Sequence, residues 1–211
     1  MNDGTDAGEG TRMDVQEAAL IMQEADERAR HEFRRSHRGS FTAWGVIVLL
    51  GYGAMWLNVR GQHPFHGPNP GAFAAVTLLA SGASLATVAQ ARSESGVSGV
   101  SAQRWRVHVL SLVAGLAAMF LLEGALYHAG ASRAVIGIFE AAAPILVAGL
   151  FYLSSGALWL DWPVSGLGIW LVAVAAAAGF AGPVGIWAVG SLAGGLAFLL
   201  LAALEPRLRR A

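Results

Sequence analysis

Residues 107–128 read VHVLSLVAGLAAMFLLEGALYH, and Glu123 is the only formal charge in the stretch. About 20 apolar residues in a row is the length a helix needs to cross the hydrocarbon core of a bilayer. Five similar runs stand at about 41–59, 72–90, 134–154, 164–180 and 184–204. The apolar residues of this chain therefore come in membrane-length blocks rather than in the short amphipathic pieces of a soluble domain. The reading is an all-α, polytopic membrane protein: a bundle of six transmembrane helices preceded by a cytoplasmic amphipathic helix. The last two runs are separated only by Ala181-Gly182-Pro183, which predicts a tight hairpin. Pro163 and Pro183 fall where a helix starts, a position that needs no amide donor.

Composition agrees. Of 211 residues, 55% are hydrophobic and 13% charged, with 14 Lys+Arg against 14 Asp+Glu. That excludes a disordered chain, a collagen and a disulfide scaffold. There is no Cys, so disulfides, zinc-thiolate sites, iron–sulfur clusters and thiol nucleophiles are ruled out. A zero net charge without any Lys argues against nucleic acid as a partner.

Residues 1–12 read as a disordered tail and 13–38 as the amphipathic helix. The apolar stripe of that helix is Val15, Ala18, Met22, Ala25, Ala29 and Phe33, spaced by three and four. Glu24–Arg28 and Asp26–Arg30 add i,i+4 pairs. Its expected place is on the cytoplasmic surface or leading into the first span; docking to a partner or to a second copy is the alternative. The first apolar run begins only at Phe41, too late for the apolar region of a cleavable signal peptide. The six-span domain is expected over 39–206, with a short tail at 207–211.

Arginine sets the expected orientation. With the N-terminus inside, eleven Arg lie on cytoplasmic flanks (28, 30, 34, 35, 38, 92, 104, 106, 207, 209 and 210) and only Arg60 and Arg133 on outer loops. The positive-inside rule then places both termini in the cytoplasm of a multi-pass cell-membrane protein. Trp44, Trp56, Trp105, Trp159 and Trp162 fall near span ends, where indoles partition to the headgroup boundary. Gly190-Ser-Leu-Ala-Gly194, with Gly195, is a small-xxx-small pattern, as is Ala80 with Ser84. Such patterns allow close helix approach, either within the bundle or, through Gly190 and Gly194, in a homo-oligomer.

Two acids lie within spans, Glu123 in the third and Glu140 in the fourth. A charge at mid-bilayer costs about 2.5–3.5 kcal/mol on insertion scales. Glu123 precedes His128 by five residues and Glu140 follows Arg133 by seven, so both are expected about 8–10 Å below the outer surface. Antiparallel neighbours would then bring them together. Pro144 cannot donate to the carbonyl of Glu140, which predicts a kink with a free acceptor beside a carboxyl group. Glu123, Glu140, His128, Arg133 and Pro144 are thus the candidate proton or substrate site. Tyr127 belongs to the same end of the hairpin. The competing reading is structural: the two Glu bonded to each other, or Glu140 paired with Arg133.

His108 reads as an interfacial histidine. His63 and His66 stand in a Pro- and Gly-rich loop without a third ligand, so no metal is expected there. Asp161, before Trp162-Pro163, is a helix cap. No Walker A loop, Gly-x-Ser-x-Gly elbow or His-Glu-x-x-His is present. No catalytic residue and no cofactor are assigned, and no motif names a reaction.

The segment Gly149-Leu-Phe-Tyr-Leu-Ser-Ser-Gly-Ala-Leu-Trp-Leu-Asp161, followed by Leu167-Gly168-Ile-Trp-Leu171, is similar to a pattern in small six-span membrane proteins of actinobacteria. That pattern is Tyr-Leu-x-Gly-Gly-Ala-Leu-Trp-x-Asp and then Leu-Gly-x-Trp. Ala43-Trp44-Gly45, Gly51-Tyr52-Gly53-Ala54 and Gly96–Ser101 also resemble the group. Its members carry broad labels such as "transporter", and the resemblance implies a transport-related role without carrying over any site residue. The expected functions are a stand-alone proton-coupled carrier or the membrane partner of a separate ATPase. The alternatives are an enzyme that protonates a lipid or isoprenoid, and a scaffold or regulator acting through the N-terminal helix. The bilayer itself is the one partner the composition demands.

Overall fold

The computed structural model describes residues 38–94 and 100–208. The tail expected at 1–12, all of the amphipathic helix except Arg38, residues 96–99 of the Gly96–Ser101 segment, and residues 209–211 lie outside them.

Every regular element among the described residues is helical. In chain order these are α1 (Arg38–Val59), α2 (Pro70–Glu94), α3 (Val100–His128), α4 (Arg133–Trp159) and α5 (Trp162–Ala178). A 3₁₀ turn at Gly179–Ala181 leads to α6 (Gly182–Val189), a π-helical segment (Gly190–Gly195) and α7 (Leu196–Leu208). Four helical stretches are long and apolar enough to cross a membrane: Arg38–Val59, Arg106–His128, Arg133–Trp159 and Trp162–Glu205. Helix α2 adds a further apolar stretch over Pro70–Gly82 among the described residues.

The 44 residues of Trp162–Glu205 do not form one rod. Such a rod would measure about 66 Å, twice the thickness of a bilayer core. Gly182 breaks it with φ 75° and ψ 178°, a conformation closed to other residues. The chain then returns, and Trp170 Nε1 on α5 donates to the carbonyl of Ala193 at 2.9 Å. The expected hairpin at Ala181-Gly182-Pro183 is present, and Pro163 and Pro183 sit in the first turns of α5 and α6.

The bundle is held by backbone-close helix pairs. Between α4 and α5, a Cβ on Gly168 would lie 2.3 Å from the Leu153 nitrogen, and one on Gly149 would lie 2.8 Å from the Val172 nitrogen. Residue numbers rise on one helix as they fall on the other, so the pair is antiparallel. At its turn, Leu160 takes the left-handed conformation (φ 53°) and Asp161 Oδ1 accepts from the Val164 amide at 3.2 Å. Asp161 is the N-cap of α5, as its position before Trp-Pro predicted.

Helix α1 packs on the π-helical segment in the same way. A Cβ on Gly195 would meet the Leu49 backbone at 2.8 Å, and Ser191 Oγ donates to the Leu49 carbonyl at 2.7 Å. The Gly190–Gly194 face is therefore taken up inside the chain: Gly190 lies under the Tyr52 ring and Gly194 near Val48.

Two apolar clusters fill the interior. One joins Phe41, Ile145, Leu167, Leu171, Val174 and Phe198; the other, nearer the α1–α2 loop, joins Met55, Val59, Ala141, Ala178, Ile186 and Trp187. Helices α2 and α3 are peripheral: α2 packs on α1, and α3 on α4. Their outward faces keep residues such as Leu78, Leu79, Leu110, Val113 and Leu121 exposed, as expected of surfaces solvated by lipid.

Candidate functional site

The turn between α3 and α4 builds the site. Gly130 (φ 75°) ends α3, with the Ala131 amide bonded to the Leu126 carbonyl at 3.0 Å and the Gly130 amide to the Tyr127 carbonyl at 3.1 Å. This paired bonding is a Schellman ending, which closes the helix within two residues. Ser132 Oγ then accepts from the Val135 amide at 3.4 Å and starts α4. The short connection places the last turn of α3 beside the first turns of α4.

There Arg133 Nη1 donates to the Tyr127 hydroxyl at 2.6 Å, and its guanidinium lies over the Tyr127 ring, 5.1 Å from the centroid. The same hydroxyl donates to Glu140 Oε1 at 3.4 Å. No ion pair joins Arg133 directly to Glu140 among the described residues; the phenol stands between them. Glu123 is half-buried one turn below Tyr127, within electrostatic range of both Tyr127 and Glu140, and no hydrogen bond joins the two carboxyl groups. Five of the six residues expected at this end of the hairpin thus share one region: Glu123, Tyr127, Arg133, Glu140 and, one turn further along α4, Pro144. His128 is exposed at the helix end and is bonded to neither Glu.

Helix α4 stays helical through Pro144. On that turn the Tyr52 hydroxyl of α1 donates to the Ala141 carbonyl at 2.9 Å. Proline leaves the Glu140 carbonyl without its helical donor; Tyr52 bonds the adjoining carbonyl, not that one. Adjacent residues of α4 therefore face two ways, Glu140 toward α3 and the Ala141 carbonyl toward α1.

The opposite end of α3 holds a second polar contact. His108 is only 4% exposed; its Nε2 lies 2.6 Å from Ser155 Oγ, and its ring stacks on Phe151 with centroids 4.2 Å apart. His108, expected at the membrane interface, makes these contacts between α3 and α4. The apolar run around it gives no signal of which side faces α4. Tyr52 was missed for the same reason, although Gly51-Tyr52-Gly53 marks a place of close packing.

The His63–His66 loop is ordered by Gln62. Its Nε2 donates to the carbonyls of Asn58 (3.3 Å) and Gly67 (3.1 Å), and its Oε1 accepts from the His66 amide at 3.0 Å. Both His are exposed, while Phe65 turns inward onto Gly137. Among the described residues no three His, Asp or Glu converge as metal ligands.

No family model, curated protein or solved structure matches the chain.

Proposed function

We propose that this protein is a six-span carrier that exchanges protons at Glu140 and Glu123. The observation that carries the reading is the hairpin α3–α4: two carboxyl groups lie within electrostatic range on an apolar helix pair, and the bonded partner of Glu140 is a phenol tied to Arg133. A carboxyl group in that setting has two accessible states. Protonated, it is a neutral donor that apolar surroundings tolerate; ionised, it is a charge one hydroxyl away from a guanidinium. A group poised between such states is what coupling to a proton gradient requires. Pro144, at the same turn, loosens the helix where a carrier must move.

Six crossings are supported by the fold-back at Gly182, which would divide Trp162–Glu205 into two passes, and by the 25 residues of α2, long enough for one pass. The Arg distribution puts both termini in the cytoplasm and the Glu pair near the outer surface of the cell membrane. The sequence pattern over 149–171, similar to that of small actinobacterial membrane proteins labelled as transporters, supports the same role.

The test is gradient-driven uptake. Purified protein in proteoliposomes is given a mixture of small metabolites with and without a pH gradient, and vesicle contents are read by mass spectrometry. The expected result is a solute whose accumulation needs the gradient in the wild type and loses that dependence in Glu140→Gln. Equal gradient dependence in the variant removes the proton role. Copurification with a stoichiometric ATPase would replace the stand-alone carrier by a subunit of a pump.

A further inference from the structure

On the other side of the Pro144 turn lies a buried donor that nothing in the fold uses. Trp187 is 3% exposed, and its Nε1 has no hydrogen-bond partner among the described residues. Indole N–H can only donate, and a buried donor left unpaired is disfavoured enough that native folds rarely keep one. Even Trp170, which is half exposed, has its donor answered: its Nε1 reaches the Ala193 carbonyl.

The core around Trp187 carries further features that a plain apolar core does not need. The Tyr52 ring lies against it at 5.5 Å, and the Tyr52 hydroxyl is anchored on Ala141, the residue after Glu140. Three residues beyond Trp187 the helix passes into the π-helical segment, whose Gly190 receives the Tyr52 ring. π-Helical turns inside α-helices concentrate at functional sites. Phe65 covers this cluster from the loop, held there by contacts of Gln62 rather than by a helix.

We infer that Trp187 Nε1 and Tyr52 form the binding site for a small, largely apolar molecule carrying a neutral hydrogen-bond acceptor, a ketone or an alcohol in chemical class. The acceptor follows from the unanswered donor. Neutrality and an apolar body follow from the packed neighbours Met55, Val59, Ala141, Ala178 and Ile186, an environment that charges avoid. An alcohol gains a second bond, because the Tyr52 oxygen still has a free lone pair after donating to Ala141. As a binding site this stands by itself; as the cargo site of a carrier it rests on the reading given above. Glu140 and Ala141 are neighbours on one turn, so a ligand that shifts Tyr52 acts on the backbone that carries the proton-binding group.

The experiment observes the donor directly. Protein labelled with ¹⁵N in its tryptophan indoles is placed in lipid nanodiscs, and the Trp187 resonance is assigned by its loss in Trp187→Phe. The probes are 2-octanone, 1-octanol and n-octane. The expected result is a saturable downfield shift of the Trp187 indole proton with the ketone and the alcohol, none with octane, and no saturable shift at the other six tryptophans. In Tyr52→Phe the ketone should still bind, with alcohol affinity falling several-fold relative to it. No saturable shift, an equal response to octane, or a persistent water cross-peak unmoved by the ketone overturns the inference; the last would mean that water alone answers the donor. Ketone binding without any Glu140-dependent transport would keep the site and sink the carrier, whereas Glu140-dependent transport without ketone binding would do the reverse.

Discussion

Tyr127 shows how one side chain decides the state of two others. With its hydroxyl between Arg133 and Glu140, neither a direct ion pair nor a bond between the two Glu is formed. The approach of Glu123 to Glu140 was legible in the sequence, because counting residues from His128 and Arg133 fixes depth. The phenol was not, since depth does not fix rotation about the helix axis. The same limit hid the His108–Ser155 contact near the other end of α3. That contact makes a measurable prediction. Side-chain hydrogen bonds between helices in membranes contribute about 0.6 kcal/mol on average and up to about 1.7. Ser155→Ala should therefore destabilise by that order in SDS unfolding titrations. His108→Phe should cost no more, because it keeps a ring against Phe151. A double-mutant cycle should return a coupling of similar size; a coupling of zero would mean that the 2.6 Å contact contributes nothing.

Among the elements, the α4–α5 hairpin explains the most distinctive sequence. The stretch from Gly149 to Leu171 reads as a pattern of small residues, and the structure gives three of its four glycines a close neighbour. Gly149 and Gly168 admit the opposing backbone, Gly156 admits Ser165, and Asp161 caps the return. Gly166, two residues from Gly168, meets nothing within 4 Å. Gly168→Ala should then destabilise by about 1–3 kcal/mol through overpacking. Gly166→Ala should be neutral or stabilising by up to about 1 kcal/mol, because a helical glycine gives up entropy that alanine does not. Thermal unfolding midpoints of the purified variants in detergent separate the two; equal midpoints would mean that the close approach at Gly168 is not made. Leu160 offers the opposite case. It is 86% exposed and held at φ 53°, where a Cβ is unfavourable by about 1–2 kcal/mol. Leu160→Gly should raise the midpoint, and a lowered one would show that the leucine side chain contributes more than its backbone strain costs. The π-helical segment was less legible. Gly190-Ser-Leu-Ala-Gly194 announces close packing, but nothing in its spacing announces the extra residue in the turn.

At the scale of the whole molecule, the open question is how many times the chain crosses. Length and hydropathy recognise four stretches among the described residues, and no charged residue interrupts Trp162–Glu205 before its end. The fold-back at Gly182 and the 25 residues of α2 argue for six. The absence of cysteine makes the count directly measurable, since each single-Cys variant carries one reactive thiol. On the six-pass reading His66, Ser132 and Phe180 lie on the outer face, and Gln103 and Leu160 on the cytoplasmic face. A membrane-impermeant maleimide added to intact cells should label His66→Cys, Ser132→Cys and Phe180→Cys. Gln103→Cys and Leu160→Cys should react only after the membrane is opened. The alternatives give different patterns. If Trp162–Glu205 crossed once, Phe180 would sit at mid-bilayer and Phe180→Cys would stay unlabelled in both conditions. If α2 did not cross, His66→Cys and Gln103→Cys would label from the same side. An inverted but complete pattern would keep six passes and reverse the orientation, which would place the Glu123–Glu140 pair at the cytoplasmic surface and turn the direction of any proton-driven exchange with it.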